Sequence, residues 1–144
     1  LPMRIEIDRL GKSVVVLNPQ SRTIQDLDSA LLSGVVRHPD SATLTENGNV
    51  FILGHSSYLP NVLNKNFQAF NGIQNLEWGD KIRVRSVDAV YEYRVEKVYR
   101  ARAQDVTVPL GGSDRLLTLA TCNTFGAKED RFIVEAKQVS YERI

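Results

Sequence analysis

Apolar residues gather in this chain in short runs bounded by turn formers: Val14 to Leu17, Val50 to Leu53, Leu116 to Thr121 and Phe132 to Ala136. Runs of that length suit buried strands and are too short for core helices, so the chain is read as mainly β-structure. Two further segments alternate. Ile82 and Val84 are interleaved with Lys81, Arg83 and Arg85, and Tyr91, Tyr93 and Val95 with Glu92, Arg94 and Glu96. Period-two alternation turns one face of each strand to the core and the other to water. In the second segment Val98 resumes the apolar series out of phase after Lys97, which predicts a β-bulge near Lys97.

One helix is expected near the start. Ile24, Leu27, Leu31 and Leu32 share a face, Thr23 with Asp26 resembles a capping pair, and Gly34 is placed to end the turn. "VVRHPDSA" reads as loop, with His38 held out of helical geometry by Pro39. A second, weaker helical stretch is expected between Asn64 and Leu76, followed by "WGDK" as a turn into the next strand. Seven or eight short strands, two small helices and no regular βαβ alternation argue for an all-β barrel or sandwich with helical decoration. A chain of 144 residues, 42% of them hydrophobic, supports one core, so residues 1–144 are read as a single domain.

The charge balance excludes some partners. Eighteen Lys and Arg against seventeen Asp and Glu leave a formal charge of +1, with no field to collect nucleic acid or an anionic membrane surface. No apolar run approaches the roughly 20 residues of a membrane span. Because the sequence begins at Leu1 rather than Met, the expectation is a soluble part of a longer protein, with an anchor or a signal upstream.

One cysteine cannot form an internal disulfide, and no CxxC or HxxxH spacing supports structural zinc. A lone cysteine most often packs as a small apolar side chain. Cys122, however, ends the run "LLTLAT" and precedes a segment with Gly126, Lys128, Glu129 and Asp130, so its sulfur belongs to a strand's mouth beside an exposed loop. A thiol there becomes a useful nucleophile if an imidazolium or guanidinium favours the thiolate. His55 ends "NVFILGH", a strand end after Gly54, whereas His38 sits in a polar loop before proline and has less claim to a role. Arg131 opens "RFIVEA", and closure of the loop between 123 and 130 would return it beside Cys122 as an antiparallel neighbour. Spacing by itself leaves the catalytic and the packing readings of Cys122 both open.

At this point a resemblance enters. "TLATC", Thr118 to Cys122, matches the TLxTC signature of sortases, membrane-anchored cysteine transpeptidases of bacterial and some archaeal surfaces. The likeness continues with Phe125, Gly126 and Arg131 downstream, Gly54 and His55 ending an apolar strand, Leu76, Gly79 and Asp80 in "NLEWGDKIRV", and "DLDSALLSGVVRHPDSA" as the preceding helix and loop. Thr124 and Ser56 depart from the proline and arginine many relatives carry after the cysteine and histidine.

The resemblance implies a closed eight-stranded sortase-type β-barrel with one or two short helices. It implies catalysis by His55, Cys122 and Arg131 on a C-terminal sorting signal of LPxTG type. The acyl group would pass through a thioester to an amine, from a peptidoglycan stem or cross-bridge peptide or a pilin lysine. It further implies a sorting-signal groove near Val106 to Leu116, with Val106, Val108, Pro109 and Leu110 lining a Leu-Pro pocket and Ala120 and Thr121 beside it. Work at the extracytoplasmic face of the membrane through an upstream anchor would follow. Some relatives use calcium, and Glu46, Asp105 and Asp114 offer oxygens, but they form no dense acidic cluster; no metal and no cofactor are expected. Two other readings share the residues: a hydrolase with water as acceptor, and a peptide-binding barrel with a structural cysteine.

Overall fold

Continuous and alternating apolar runs become eight strands in the computed structural model, which describes residues 1–56, 69–102, 114–121 and 130–144. These are β1 (Arg4–Ile7), β2 (Lys12–Leu17), β3 (Val35–Arg37), β4 (Gly48–Gly54), β5 (Lys81–Arg85), β6 (Ala89–Arg102), β7 (Arg115–Thr121) and β8 (Asp130–Arg143), with one α-helix, α1 (Ile24–Leu31), between β2 and β3. They close into a barrel in the order β1-β2-β3-β4-β7-β8-β6-β5, which leaves no sheet edge open. The β2–β3 and β4–β7 contacts are parallel and the other six are antiparallel.

Alternation divides the side chains between two environments. Ile5, Ile7, Val16, Val35, Val50, Ile52, Ile82, Val84, Tyr91, Tyr93, Leu117, Leu119 and Val134 fill the barrel, joined by Phe70 and Ile73 from the connection before β5. On the opposite face of β3, β4, β7 and β8, Val36, Leu53, Ala120 and Ile133 form a second cluster with Leu27 and Leu31 of α1. Strands β4 and β7 are therefore buried on both faces, and this is why they read as continuous apolar runs. Strands β1, β5 and β6 have a wet outer face, where Arg85 pairs with Glu6, Arg83 with Asp8 at 2.6 Å and Arg94 with Glu96 at 2.8 Å. Their charged outer residues produce the alternation.

The bulge lies where the phase change predicts it. Val95 faces Ala136 and Lys97 faces Glu135, so Glu96 is the extra residue. The α1 cap is also as expected, with the Thr23 hydroxyl accepting the Asp26 N–H at 3.2 Å.

Two local readings need correction, and a third falls partly outside the described residues. Val35–Arg37 of the expected loop is strand β3, too short to show a period, yet wholly buried between β2 and β4. Gly34 does not end α1 by a left-handed turn; it is a glycine because a Cβ there would lie 2.4 Å from the Val15 carbonyl oxygen. In the described part of the 64–76 stretch there is a single 3-10 turn, Ile73–Asn75, after Gly72 at φ 91°. No helix among the described residues is long and apolar enough to cross a membrane.

Candidate active site

Parallel pairing of β4 with β7 brings two chain exits to one end of the barrel. Their register runs from Gly48 opposite Arg115 to Gly54 opposite Thr121, so His55 and Cys122 each follow the last paired residue of adjacent strands. Strand β8 enters at the same end. Its register with β7 runs to Ala120 opposite Ile133, and Arg131 is paired on its other side with Ala101 of β6. Leu53, Ala120, Ile133 and Tyr99 thus form one row across four strands, and all four belong to the outer cluster.

His55 is 6% exposed, and its main-chain carbonyl accepts the Phe70 N–H at 2.8 Å. The preceding Gly54 makes this close approach possible, since a Cβ there would lie 2.7 Å from the Phe70 ring and 2.8 Å from Val35 Cγ1. Arg131 is half-buried, with a buried Nε that has no hydrogen-bond partner among the described residues. Such a guanidinium edge costs desolvation and has donor capacity to spare.

Strand β7 is pinned on both sides by the two threonines of "TLATC". The buried Thr118 hydroxyl donates to Asn49 Oδ1 of β4 at 3.0 Å. Thr121, also buried, accepts the Phe132 N–H of β8 on its hydroxyl at 2.9 Å. Sequence reasoning missed Asn49 and Phe70 as supports, and Thr118 as a pin. Only the recurrence of threonine around the cysteine signalled any of this.

Of the residues expected at the site, His55, Ala120, Thr121 and Arg131 come together at this end of β4, β7 and β8. Ala120 is fully buried in the outer cluster. Cys122, Val106, Val108, Pro109 and Leu110 lie outside the described residues, as does Asp105. His38 stands apart, just after β3. Its N–H donates to the Phe51 carbonyl, its Nδ1 accepts the Asp40 N–H at 3.2 Å and its ring stacks on Phe51. Burial lowers the His38 pKa from its ordinary value, opposed by Asp40 and assisted by Arg22 and Arg37. The Glu46 carboxylate accepts from the Thr43 hydroxyl and N–H. No group of three His, Cys, Asp or Glu side chains converges among the described residues.

A family model described as Sortase domain matches residues 5–139. Among solved structures, sortase E from Streptomyces avermitilis has a TM-score of 0.77 at 22% identity, covering 99% of this chain and 90% of that one. A Clostridium perfringens sortase D5 transpeptidase has a TM-score of 0.74 at 24% identity, over 96% and 79% of the two chains. Listeria monocytogenes sortase A has a TM-score of 0.73 at 20% identity, over 98% and 88%. No curated protein sequence matches the chain.

Proposed function

This chain belongs to the sortase family, and from that premise we propose that it is a cysteine transpeptidase acting on LPxTG-like sorting signals with Cys122, His55 and Arg131 as its catalytic groups. The observation that supports this reading is the row Leu53, Ala120 and Ile133, whose members are direct cross-strand neighbours on the outer face. Two residues further along each strand, toward the same end, come positions 55, 122 and 131. Of these, Arg131 lies within a described strand, and period-two alternation gives it the outward sense of that row. With neighbouring strands about 4.8 Å apart, β4 and β8 are separated by about 10 Å with β7 between them.

The chemistry follows from the three groups. The Cys122 thiolate adds to the carbonyl carbon of the scissile peptide bond, and the oxyanion that forms is held by the Arg131 guanidinium, whose spare donors suit that task. His55, as imidazolium, gives its proton to the leaving amine, the C–N bond breaks and a thioester remains. The neutral imidazole then takes a proton from an incoming amine as it attacks the thioester, and the thiolate departs. The acceptor is a peptidoglycan stem or cross-bridge amine or a pilin lysine, and the work is done at the extracytoplasmic face of a membrane. Val106, Val108, Pro109 and Leu110 supply the apolar contacts for the Leu-Pro part of the signal. Ala120 and Thr121 support its floor.

Incubation of the domain with an LPxTG-type peptide, with and without a glycine peptide, tests the proposal. The expected result is amide product with the added amine, rapid modification of Cys122 by a methanethiosulfonate, and loss of turnover in Cys122→Ala, His55→Ala and Arg131→Ala. Turnover retained by Cys122→Ala ends the proposal, and cleavage without amidation at every acceptor tried reduces the activity to hydrolysis.

A further inference from the structure

The chain's one tryptophan stands in water. Trp78, in the turn that enters β5, is 68% exposed, although tryptophan side chains are highly buried on average. It is nevertheless fixed. Its Nε1 donates to Glu96 Oε2 at 2.9 Å. The Arg94 guanidinium lies over the ring, 5.0 Å from its centre, while its Nη2 donates to the other Glu96 oxygen at 2.8 Å. The turn beneath is pinned as well, the Gly79 N–H donating to the Val95 carbonyl at 2.9 Å and the Glu77 N–H to Asp80 Oδ2 at 2.8 Å. Glu96 is the extra residue of the β6 bulge, so the bulge is what sets a carboxylate within reach of the indole. An aromatic ring held in place with its second face in water has lost side-chain entropy without gaining burial, which is the state of a pre-organised binding surface.

A line of cations runs past it. Lys81, Arg94 and Lys137 are direct cross-strand neighbours on β5, β6 and β8. The adjoining Ile82, Val95 and Ala136 face into the barrel, so the three cations share the outer face and span about 10 Å from β5 to β8. Like charges directly opposite one another destabilise a sheet. Lys81 has Glu92 at 3.7 Å and Arg94 has Glu96, but the exposed Lys137 is in no ion pair among the described residues. We propose that this face binds an acidic polysaccharide, with a sugar ring stacked on Trp78 and sugar carboxylates seated on Lys81, Arg94 and Lys137. Pyranose C–H groups carry a slight positive charge and suit the negative face of the indole. Glu92, Glu96 and the Ser140 hydroxyl, which donates to Glu92 at 3.4 Å, add acceptors for sugar hydroxyls. Those same carboxylates repel the closely spaced phosphates of a nucleic acid, and an acidic peptide offers no ring to the indole. Lys137 is six positions along β8 from Arg131, or about 20 Å, so this surface is separate from the proposed active site.

Because Trp78 is the only tryptophan, the intrinsic fluorescence of the unaltered protein reports on this surface. A trimer of galacturonic acid should change it saturably, with an apparent Kd that rises about threefold between about 50 and about 200 mM NaCl. The neutral trimer maltotriose should bind about tenfold more weakly. In calorimetric titrations Trp78→Ala should weaken the acidic trimer about tenfold, with Trp78→Phe intermediate. Lys137→Ala should weaken it about threefold and flatten the salt dependence. Each variant is expected to keep the wild-type circular dichroism spectrum, since the side chains removed are exposed. No saturable change at millimolar acidic trimer, equal binding of maltotriose, or full binding retained by both Trp78→Ala and Lys137→Ala overturns the proposal. Equal or tighter binding of hexaglutamate or of oligothymidylate also overturns it, making the face a peptide or nucleic-acid surface instead.

Discussion

Gly54→Ala is the smallest change that strains core and site together. The added Cβ would lie 2.7 Å from Cγ and Cδ2 of Phe70 and 2.8 Å from Cγ1 of Val35, and both side chains are fully buried. Neither can withdraw into solvent, so the ring or β4 itself must shift. Overpacking of this kind costs about 1–3 kcal/mol. With an unfolding entropy of about 2.1 cal/mol/K per residue, a chain of 144 residues loses roughly 3 °C of Tm per kcal/mol. The expected drop is therefore about 3–10 °C by circular dichroism, with the same order of loss in urea titration. The Phe70 N–H is bonded to the His55 carbonyl, so relief by moving Phe70 also drags His55, and activity should fall more than the folded fraction does. The cause can be isolated by coupling. Phe70→Ala alone opens a cavity and costs about 3–5 kcal/mol. In the double variant the new methyl enters that cavity unopposed by the ring, and the two effects should fall short of their sum by about 1 kcal/mol or more. Additivity within about 0.5 kcal/mol would refute the reasoning, because the ring would not be the obstacle.

Thr23→Ala removes the acceptor for the Asp26 N–H at the start of α1 and should cost about 1 kcal/mol, or roughly 3 °C in a thermal melt. His38 is depressed below its ordinary 6.5 by burial, so the fold favours its neutral form. Its contribution to stability is complete above about pH 6.5 and is lost as pH falls through the lower folded value; His38→Gln should flatten that acid limb in urea titrations from pH 7 to 5. Tyr99 is pushed up to about 12, first by burial and then by its hydrogen bond to Glu135. The neutral phenol is the favoured form, so the linked stability is present below about pH 10 and lost as pH rises through 12, and Tyr99→Phe should remove one late-ionising phenol from the absorbance titration at about 295 nm.

How much of the barrel could be read in advance depended on which faces of each strand are dry. Strand β4 packs Val50 and Ile52 into the barrel and Leu53 against α1, so every position from Val50 to Gly54 is apolar or small and the run is conspicuous. Strands β5 and β6 keep ion pairs outside and tyrosine, valine and isoleucine inside, so they alternate, and even the Glu96 bulge was legible as a lost beat. Strand β1, with four residues, and β3, with three, are shorter than the window in which a period can be recognised. Strand β8 was underestimated for another reason. Its apolar run ends at Ala136, but Lys137 to Arg143 go on pairing with β6, a partner that sequence patterns do not name.

The proposed site is a set of residue types in the sequence and a set of neighbours only in the fold, and topology supplies the difference. Gly54 and Thr121 are 67 positions apart, and nothing local in either run says that their strands lie side by side, still less that they run parallel. Parallel pairing is the decisive element. Had β4 and β7 been antiparallel, the exit of β4 after Gly54 would lie at the far end of a seven-residue strand from the exit of β7, about 20 Å away. No side-chain choice at position 55 could then serve position 122. The antiparallel turn from β7 into β8 does the complementary work, because a strand that leaves at one end and returns antiparallel must re-enter at that same end, which is where Arg131 stands. One parallel and one antiparallel contact on the two sides of β7 therefore suffice to bring His55, Thr121 and Arg131 to one pole. The "TLATC" threonines act on those same two contacts, Thr118 toward β4 and Thr121 toward β8, so a motif met as a string of letters is physically the fastening of the central strand to both its neighbours.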